Sequence, residues 1–177
     1  LTQTNDESVT RELRIARRRA ALTIGLADIS NSWNVEEVTE ALSKFADYSI
    51  SLVVKKLLID SHENGEIKLT DPNEPTKDSG FIILAVGKLG GRELNYSSDV
   101  DLILLFDPDL VNYIGKHSSQ EFFIRLGKQF IKFLEEHTKD GYVFRTDTRL
   151  RPDPGSTPLV MSTRAAEVYY ESMGQNW

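Results

Sequence analysis

Residues 81–106 read Phe-Ile-Ile-Leu-Ala-Val-Gly-Lys-Leu-Gly-Gly-Arg-Glu-Leu-Asn-Tyr-Ser-Ser-Asp-Val-Asp-Leu-Ile-Leu-Leu-Phe. Two apolar runs, Phe81–Val86 and Val100–Phe106, bracket a segment of turn chemistry. Both runs are short and rich in β-forming residues, so both predict buried strands. Where the second strand begins, Asp99 and Asp101 flank Val100. A period of two puts both carboxylates on one face, with Cβ atoms roughly 6 to 7 Å apart. Two like charges at about 5 Å in an effective dielectric near 20 repel by about 3 kcal/mol. Either one carboxyl keeps its proton or a cation sits between them. Hard oxygen donors of this kind suit Mg²⁺ or Mn²⁺ completed by water and substrate phosphate. An isolated Asp-x-Asp at a strand end commonly just faces water, so the surroundings decide.

Those surroundings are Gly87, Lys88, Gly90, Gly91 and Arg92, leading on to Ser97 and Ser98. Glycines let backbone amides approach a phosphate, and the cations and hydroxyls add donors. The spacing is that of neither the P-loop nor the dinucleotide fingerprint. A third element, Tyr142 to Arg151, alternates like a strand. Phe144, Thr146, Thr148 and Leu150 would point one way, and Arg145, Asp147, Arg149 and Arg151 the other. On an exposed strand this is a salt-bridged ladder. Beside the Asp99 strand, Asp147 would complete a cup of three carboxylates for two divalent ions, with Arg149 or Arg151 facing phosphates. His62, His117 and His137 have no metal-binding spacing, and the absence of Cys excludes thiolate sites.

Outward from this centre, the first sixty residues carry helical periodicity. Leu13, Ala16, Ala20, Ile24 and Ala27 recur behind a basic face of Arg11, Arg14, Arg18 and Arg19, and the run Arg17 to Arg19 reads as a solvated face paired with nearby acids in preference to a phosphate or partner site. Asn34 and Glu37 have capping-box spacing, and Val38, Leu42, Phe45, Leu52 and Leu57 continue a second helix. The two should form a helical hairpin. Residues 61–80, with Pro72 and Pro75, read as a linker or loop in which Asn64-Gly65 favours the tight turn of a short hairpin, with Glu66, Ile67, Lys68 and Leu69 alternating after it. Ser118 and Glu121 make another capping box, opening a helix through Phe122, Leu126, Phe130, Phe133, Leu134 and His137. Pro152, Pro154, Gly155 and Pro158 form a loop, and a last helix starts near Thr163. The class is α+β, a mixed β-sheet with flanking helices preceded by a helical hairpin. The organisation expected is 1–60 helical, 61–80 linker and 81–177 core.

The 177 residues carry 21 Lys plus Arg against 27 Asp plus Glu, a net charge of −6, and no Cys. Such a chain buries a sizeable core without staples. Phe81–Val86 is far shorter than a membrane helix, and the Arg-rich start is no signal peptide, so a soluble, cytoplasmic protein is expected without a membrane partner. Net acidity disfavours nucleic acid as the partner. A start at Leu1 and an end at Trp177 within an apparent helix suit a segment of a longer polypeptide.

The stretch from Gly87 to Asp101 resembles the signature of the nucleotidyltransferase superfamily, a small-residue loop followed by Asp-x-Asp. More narrowly it is similar to the bacterial glutamine synthetase adenylyltransferase and adenylyl-removing enzymes, and Val143 to Gly155 and Tyr169 to Trp177 extend the likeness over nearly the whole chain. One departure is Lys88 after Gly87, where the superfamily usually has Ser, so a loop serine's role passes to Ser97 or Ser98 or is absent. The resemblance implies a nucleotidyltransferase-like sheet in the core, with Asp99, Asp101 and Asp147 catalytic and holding two Mg²⁺ or Mn²⁺ ions. It also implies that Gly87, Lys88, Gly90, Gly91, Arg92, Ser97, Ser98, Arg149 and Arg151 bind nucleotide or phosphate. Such enzymes attach AMP to a tyrosine of glutamine synthetase in one half and remove it by phosphorolysis, giving ADP, in the other. Asp153 to Pro158 and Tyr169 to Trp177 look more like the amino-terminal, adenylyl-removing half. Implied partners are AMP-modified glutamine synthetase, phosphate, adenine nucleotide, a PII-type signal protein and the remainder of a longer chain. The adenylylating reaction and a non-catalytic docking module stay open as alternatives.

Overall fold

The structure is a computed structural model that describes the backbone of residues 2–173 and the side chains of residues 8–172. Helices α1 (Thr2–Ile29) and α2 (Val35–Glu63) pack together as the hairpin that their periodicity implies. The capping box between them forms: Asn34 Oδ1 accepts the Glu37 amide at 2.9 Å, and Glu37 Oε2 accepts the Asn34 amide at 2.8 Å. Inward, α2 presents Ala46, Ile50, Val53, Val54 and Leu58, one stripe at three- and four-residue spacing. Leu52, expected inside, lies two residues from Ile50 and therefore on the opposite side, 45% exposed. Asn64-Gly65 makes no hairpin. The Asn64 amide returns to the Asp60 carbonyl at 2.9 Å, and the left-handed Gly65 ends α2 instead, a use that glycine serves equally well. Beyond it, Ile67 pairs with Tyr113, and Ile67 and Leu69 enter the core.

Strands β1 (Phe81–Val86) and β2 (Val100–Phe106) coincide with the two apolar runs and pair antiparallel from Phe81 opposite Phe106 to Val86 opposite Asp101. The helix that follows the Ser118 cap, designated α4 (Ser119–Glu135), carries the chain over to β3 (Thr146–Asp147), which pairs parallel with the start of β2. The cap is half of the expected box, with Ser118 Oγ accepting the Glu121 amide at 3.2 Å. A further strand, β4 (Val160–Ser162), pairs parallel with the end of β2, completing a mixed four-stranded sheet. Sequence reasoning placed a loop there, because three residues are too few to display an alternation. The last helix, α5 (Thr163–Met173), begins where expected; the end of the Tyr169–Trp177 stretch lies outside the described residues.

The long strand expected over Tyr142–Arg151 contracts to two residues. Val143 and Phe144 turn into the core, and their amides bond the Leu134 carbonyl at 2.9 and 3.1 Å. On the other side, Asp147 Oδ1 accepts the Arg149 amide at 2.8 Å, a side-chain turn that ends the strand. The four residues Arg145, Asp147, Arg149 and Arg151 therefore do not form one ladder.

One face of the sheet carries the main core, in which Leu13, the inner stripe of α2, Leu102 and Leu104 meet Phe122, Phe123, Leu126, Phe130 and Leu134 of α4. Phe123 stacks on Phe106 at 4.6 Å and on Phe81 at 5.7 Å. A smaller cluster of Ile103, Leu105, Met161 and Ala166 fills the opposite face beneath α5. Where α4 meets the sheet, Gly127 lies so close that a Cβ there would overlap Val160 Cγ2 and stand 3.4 Å from Leu104 Cδ1. Gly127→Ala gains about 1 kcal/mol of helix propensity but forces the helix off the sheet, which costs about 1–3 kcal/mol. The expected urea-unfolding result is a net loss of about 1 kcal/mol. A stabilised variant would show that the contact yields.

Arg14 departs most from expectation. Instead of joining a solvated face it is fully buried. Its guanidinium donates to the carbonyls of Gly141 (2.8 Å), Thr10 (3.0 Å), Phe133 (3.2 Å) and Glu136 (2.6 Å). Three of these lie at the end of α4 or just beyond, where carbonyls lack helical partners, and α4 stops at Glu135 short of His137. Within the run Arg17 to Arg19, Arg18 forms the surface pairing foreseen, with Asp140 at 3.2 Å, where Arg11 joins it at 3.6 Å, whereas Arg17 lies over the Tyr142 ring at 4.7 Å. No helix among the described residues is long and apolar enough to cross a membrane.

A candidate carboxylate and glycine-turn site

After β1 the chain winds into a single helical turn, α3 (Gly87–Gly90), where an open loop was expected. The Gly91 amide bonds the Gly87 carbonyl at 3.0 Å, and the Glu93 amide bonds that of Lys88 at 2.7 Å. Leu89 and Leu94, each buried, moor the turn to the core. Gly87 has φ +55° and abuts Asp101 so closely that a Cβ would collide with Oδ2. Only glycine combines that backbone with that approach. Lys88, Gly90 and Gly91 are exposed beside it.

Because β2 and β3 pair in register, Asp101 stands directly opposite Asp147 on the adjacent parallel strand. Adjacent strands lie about 4.8 Å apart, so the two carboxylates are neighbours. Burial first, then the negative charges of Asp147 and Asp99, push the Asp101 carboxyl above its ordinary pKa, against the opposing pull of Arg149 and Lys88. Asp147 is pushed below its ordinary value by Arg149, which donates from Nε at 3.0 Å to each oxygen, from Nη2 at 2.5 Å and from its amide. Asp99 receives Arg145 Nε at 2.6 Å, while Arg145 Nη2 also holds the Ser97 carbonyl at 3.0 Å. Among the described residues, no three acidic or imidazole side chains converge on one point. What the structure brings together is the pair Asp101 and Asp147, an oxygen donor set that fits a divalent ion holding several waters. Asp99, the third member of the expected cup, is turned to Arg145.

The remaining candidates divide. Ser97 and Ser98 shape the approach to Asp99: Asn95 Oδ1 accepts the Ser98 hydroxyl at 2.8 Å and the Ser97 amide at 3.3 Å. Arg149 is 84% exposed and lies over Asp147, which holds its guanidinium. Arg151 is not so placed: it donates to the Thr148 carbonyl at 2.7 Å and the Pro154 carbonyl at 2.9 Å, holding its own loop together. Arg92 is also occupied elsewhere, donating from Nε and Nη2 to Glu40 at 2.8 Å each and from Nη1 to Asp47. Sequence reasoning missed Glu40 and Asp47, and it missed Glu135, which fixes β3 by accepting the Thr146 amide at 2.8 Å and hydroxyl at 2.6 Å. Glu135 carried no local signal, since an acid near a helix end reads as surface.

The profile of the glutamate-ammonia ligase adenylyltransferase family matches residues 1–177. The chain is 46% identical over 172 residues to a bifunctional glutamine synthetase adenylyltransferase/adenylyl-removing enzyme of Rhizobium meliloti (strain 1021), covering 97% of this chain and 17% of that protein. A protein of the same description from Agrobacterium fabrum is 45% identical over 172 residues, again 97% and 17% of the two chains. The one from Mesorhizobium japonicum is 44% identical over 173 residues, 98% of this chain and 18% of that protein. The chain thus spans 17–18% of the length of these curated relatives. An Asp-x-Asp strand entered through a glycine turn, a third Asp on the parallel neighbour and a full-length profile match converge: this chain belongs to the glutamate-ammonia ligase adenylyltransferase family.

Proposed function

We propose that this chain carries a nucleotidyl-transfer site that removes AMP from the modified tyrosine of glutamine synthetase by phosphorolysis. The observation that carries the reading is the in-register pairing of Asp101 with Asp147 beneath the Gly87 turn. A phosphate oxygen attacks the α-phosphorus of the AMP-tyrosine ester, a new phosphorus–oxygen bond forms, and the bond to the tyrosine oxygen breaks. ADP leaves, and the tyrosine oxygen takes up a proton. A Mg²⁺ or Mn²⁺ ion on Asp101 and Asp147, with a second reaching Asp99 only once Arg145 releases it, would supply charge neutralisation for both oxygens. Arg149 orients Asp147 and faces the incoming phosphate, and Lys88 and the exposed amides of the glycine turn add donors. The likeness of Asp153 to Pro158 and of Tyr169 to Trp177 to the adenylyl-removing half favours phosphorolysis over adenylylation from ATP. The test is ADP release from AMP-modified glutamine synthetase with Mg²⁺ and inorganic phosphate. Phosphate-dependent ADP is expected. Incorporation of AMP from ATP into unmodified glutamine synthetase, without ADP release in the first assay, would reverse the assignment to adenylylation.

A further inference from the structure

The glycine turn is held from two sides, and the second side is a helix lying far earlier in the chain. Glu40, Ser43 and Asp47 stand at i, i+3 and i+7 of α2, one face of that helix. Glu40 takes two nitrogens of Arg92 in a forked bond, Asp47 takes the third, and the fully buried Ser43 Oγ accepts the Leu94 amide at 3.3 Å. Forked pairs joined in a network are the exception to the weakness of surface ion pairs. Arg92 also adopts φ +62°, a conformation that a glycine would hold without strain and that other residues keep only where their surroundings impose it. A residue placed there against its backbone preference is there for its side chain. At the other end of the same turn, Gly87 rests against Asp101.

We infer that Arg92 is a positioning residue: its clamp on Glu40 and Asp47 sets where the Gly87–Gly91 turn stands over Asp101, and so sets the affinity of the carboxylate pair for a divalent cation. The cation half of this inference rests on the function proposed above. The Arg92 hydrogen bond, with help from Lys44, holds the Glu40 carboxyl down to about 2, so Glu40 stays ionised at every physiological pH. The helical hairpin thereby acts on the site without touching it.

Amide hydrogen exchange and Mn²⁺ titration on the same proteins test this. The variants are Arg92→Ala, the near-isosteric double change Glu40→Gln with Asp47→Asn, and all three changes combined. Exchange at Gly91, Glu93 and Leu94 is expected to speed up by about 3- to 30-fold in each, with Leu102 to Leu105 still protected, and the Mn²⁺ dissociation constant is expected to rise by a similar factor. Combining all three changes should add nothing further, because they break one contact. Unchanged exchange in the turn, a loosened turn with unchanged Mn²⁺ affinity, or additive effects would each overturn the clamp. Asp101→Asn serves as the control for the metal. If wild-type protein shows no Mn²⁺ binding that this change removes, the cation reading fails, and with it the functional half of the inference. The exchange data would still decide whether Arg92 holds the turn.

Discussion

Asp101→Asn is expected to lower the phosphate-dependent ADP release proposed above by about 10³-fold or more and to leave the fold standing. Among the carboxylates of the site, Asp101 is the one whose surroundings most disfavour its charge, through burial and through Asp147 and Asp99. A group held in that state gains most from a cation, and the amide that replaces it is the same size but carries no charge to offer. Loss of charge stabilisation at the transferring phosphoryl group accounts for several kcal/mol of barrier, which is the factor stated. Folding responds in the opposite sense. Removing one of several crowded negative charges relieves repulsion in the metal-free protein, so the thermal midpoint should hold or rise. The two readouts together are diagnostic, since a variant that merely misfolds loses both. Retention of more than about a tenth of wild-type turnover, against that expected factor, would place the chemistry elsewhere.

Arg14→Met costs about 3–5 kcal/mol of folding stability, the largest effect expected of a substitution away from the carboxylates. The methionine fills much of the same volume but leaves the Phe133 and Glu136 carbonyls at the end of α4 without their donor, while Gly141 keeps the Thr138 amide at 3.0 Å and Thr10 lies within α1. Water reaches that position poorly, because Arg14 is 0% exposed. For a domain of this size the midpoint falls by about 6–20 °C. Arg18→Ala is the comparison: its guanidinium, 57% exposed, pairs with Asp140 at 3.2 Å, and such pairs contribute under about 1 kcal/mol. Chemical denaturation of both variants separates the roles. Equal losses would mean that the end of α4 finds other partners for its carbonyls.

What could be read without the structure had its cause within a few residues. Phe81–Val86 and Val100–Phe106 became strands over those ranges because each apolar run is bounded by residues that forbid its continuation. Asn34 capped α2 because the partner it needs, Glu37, is three residues on. Asp99 and Asp101 were legible because two residues on one strand share a face in any extended chain. Tyr142 to Arg151 misled because alternation alone does not create a strand. A neighbour is needed, and β2 pairs with it only at Thr146 and Asp147.

The arginines show where local reading ends. Arg14, Arg92, Arg145, Arg149 and Arg151 all look like surface or phosphate-facing cations, yet each has a different occupation. Arg14 seals the end of a helix 122 residues away at Glu136, Arg92 reaches back 52 residues to Glu40, and Arg145 holds Asp99 across 46. The sequence by itself determined the α+β class, the two long strands, the helical hairpin and the Asp-x-Asp with its glycine turn, because periodicity, capping and turn chemistry act over a few residues. Only the tertiary structure decided that Asp147 stands opposite Asp101, that Asp99 turns to Arg145, and which arginine clamps a turn, caps a helix or pairs with a site carboxylate. Those outcomes depend on strand register and on charges brought together by the fold, and nothing in the spacing of a residue along the chain encodes its distance from a partner in space.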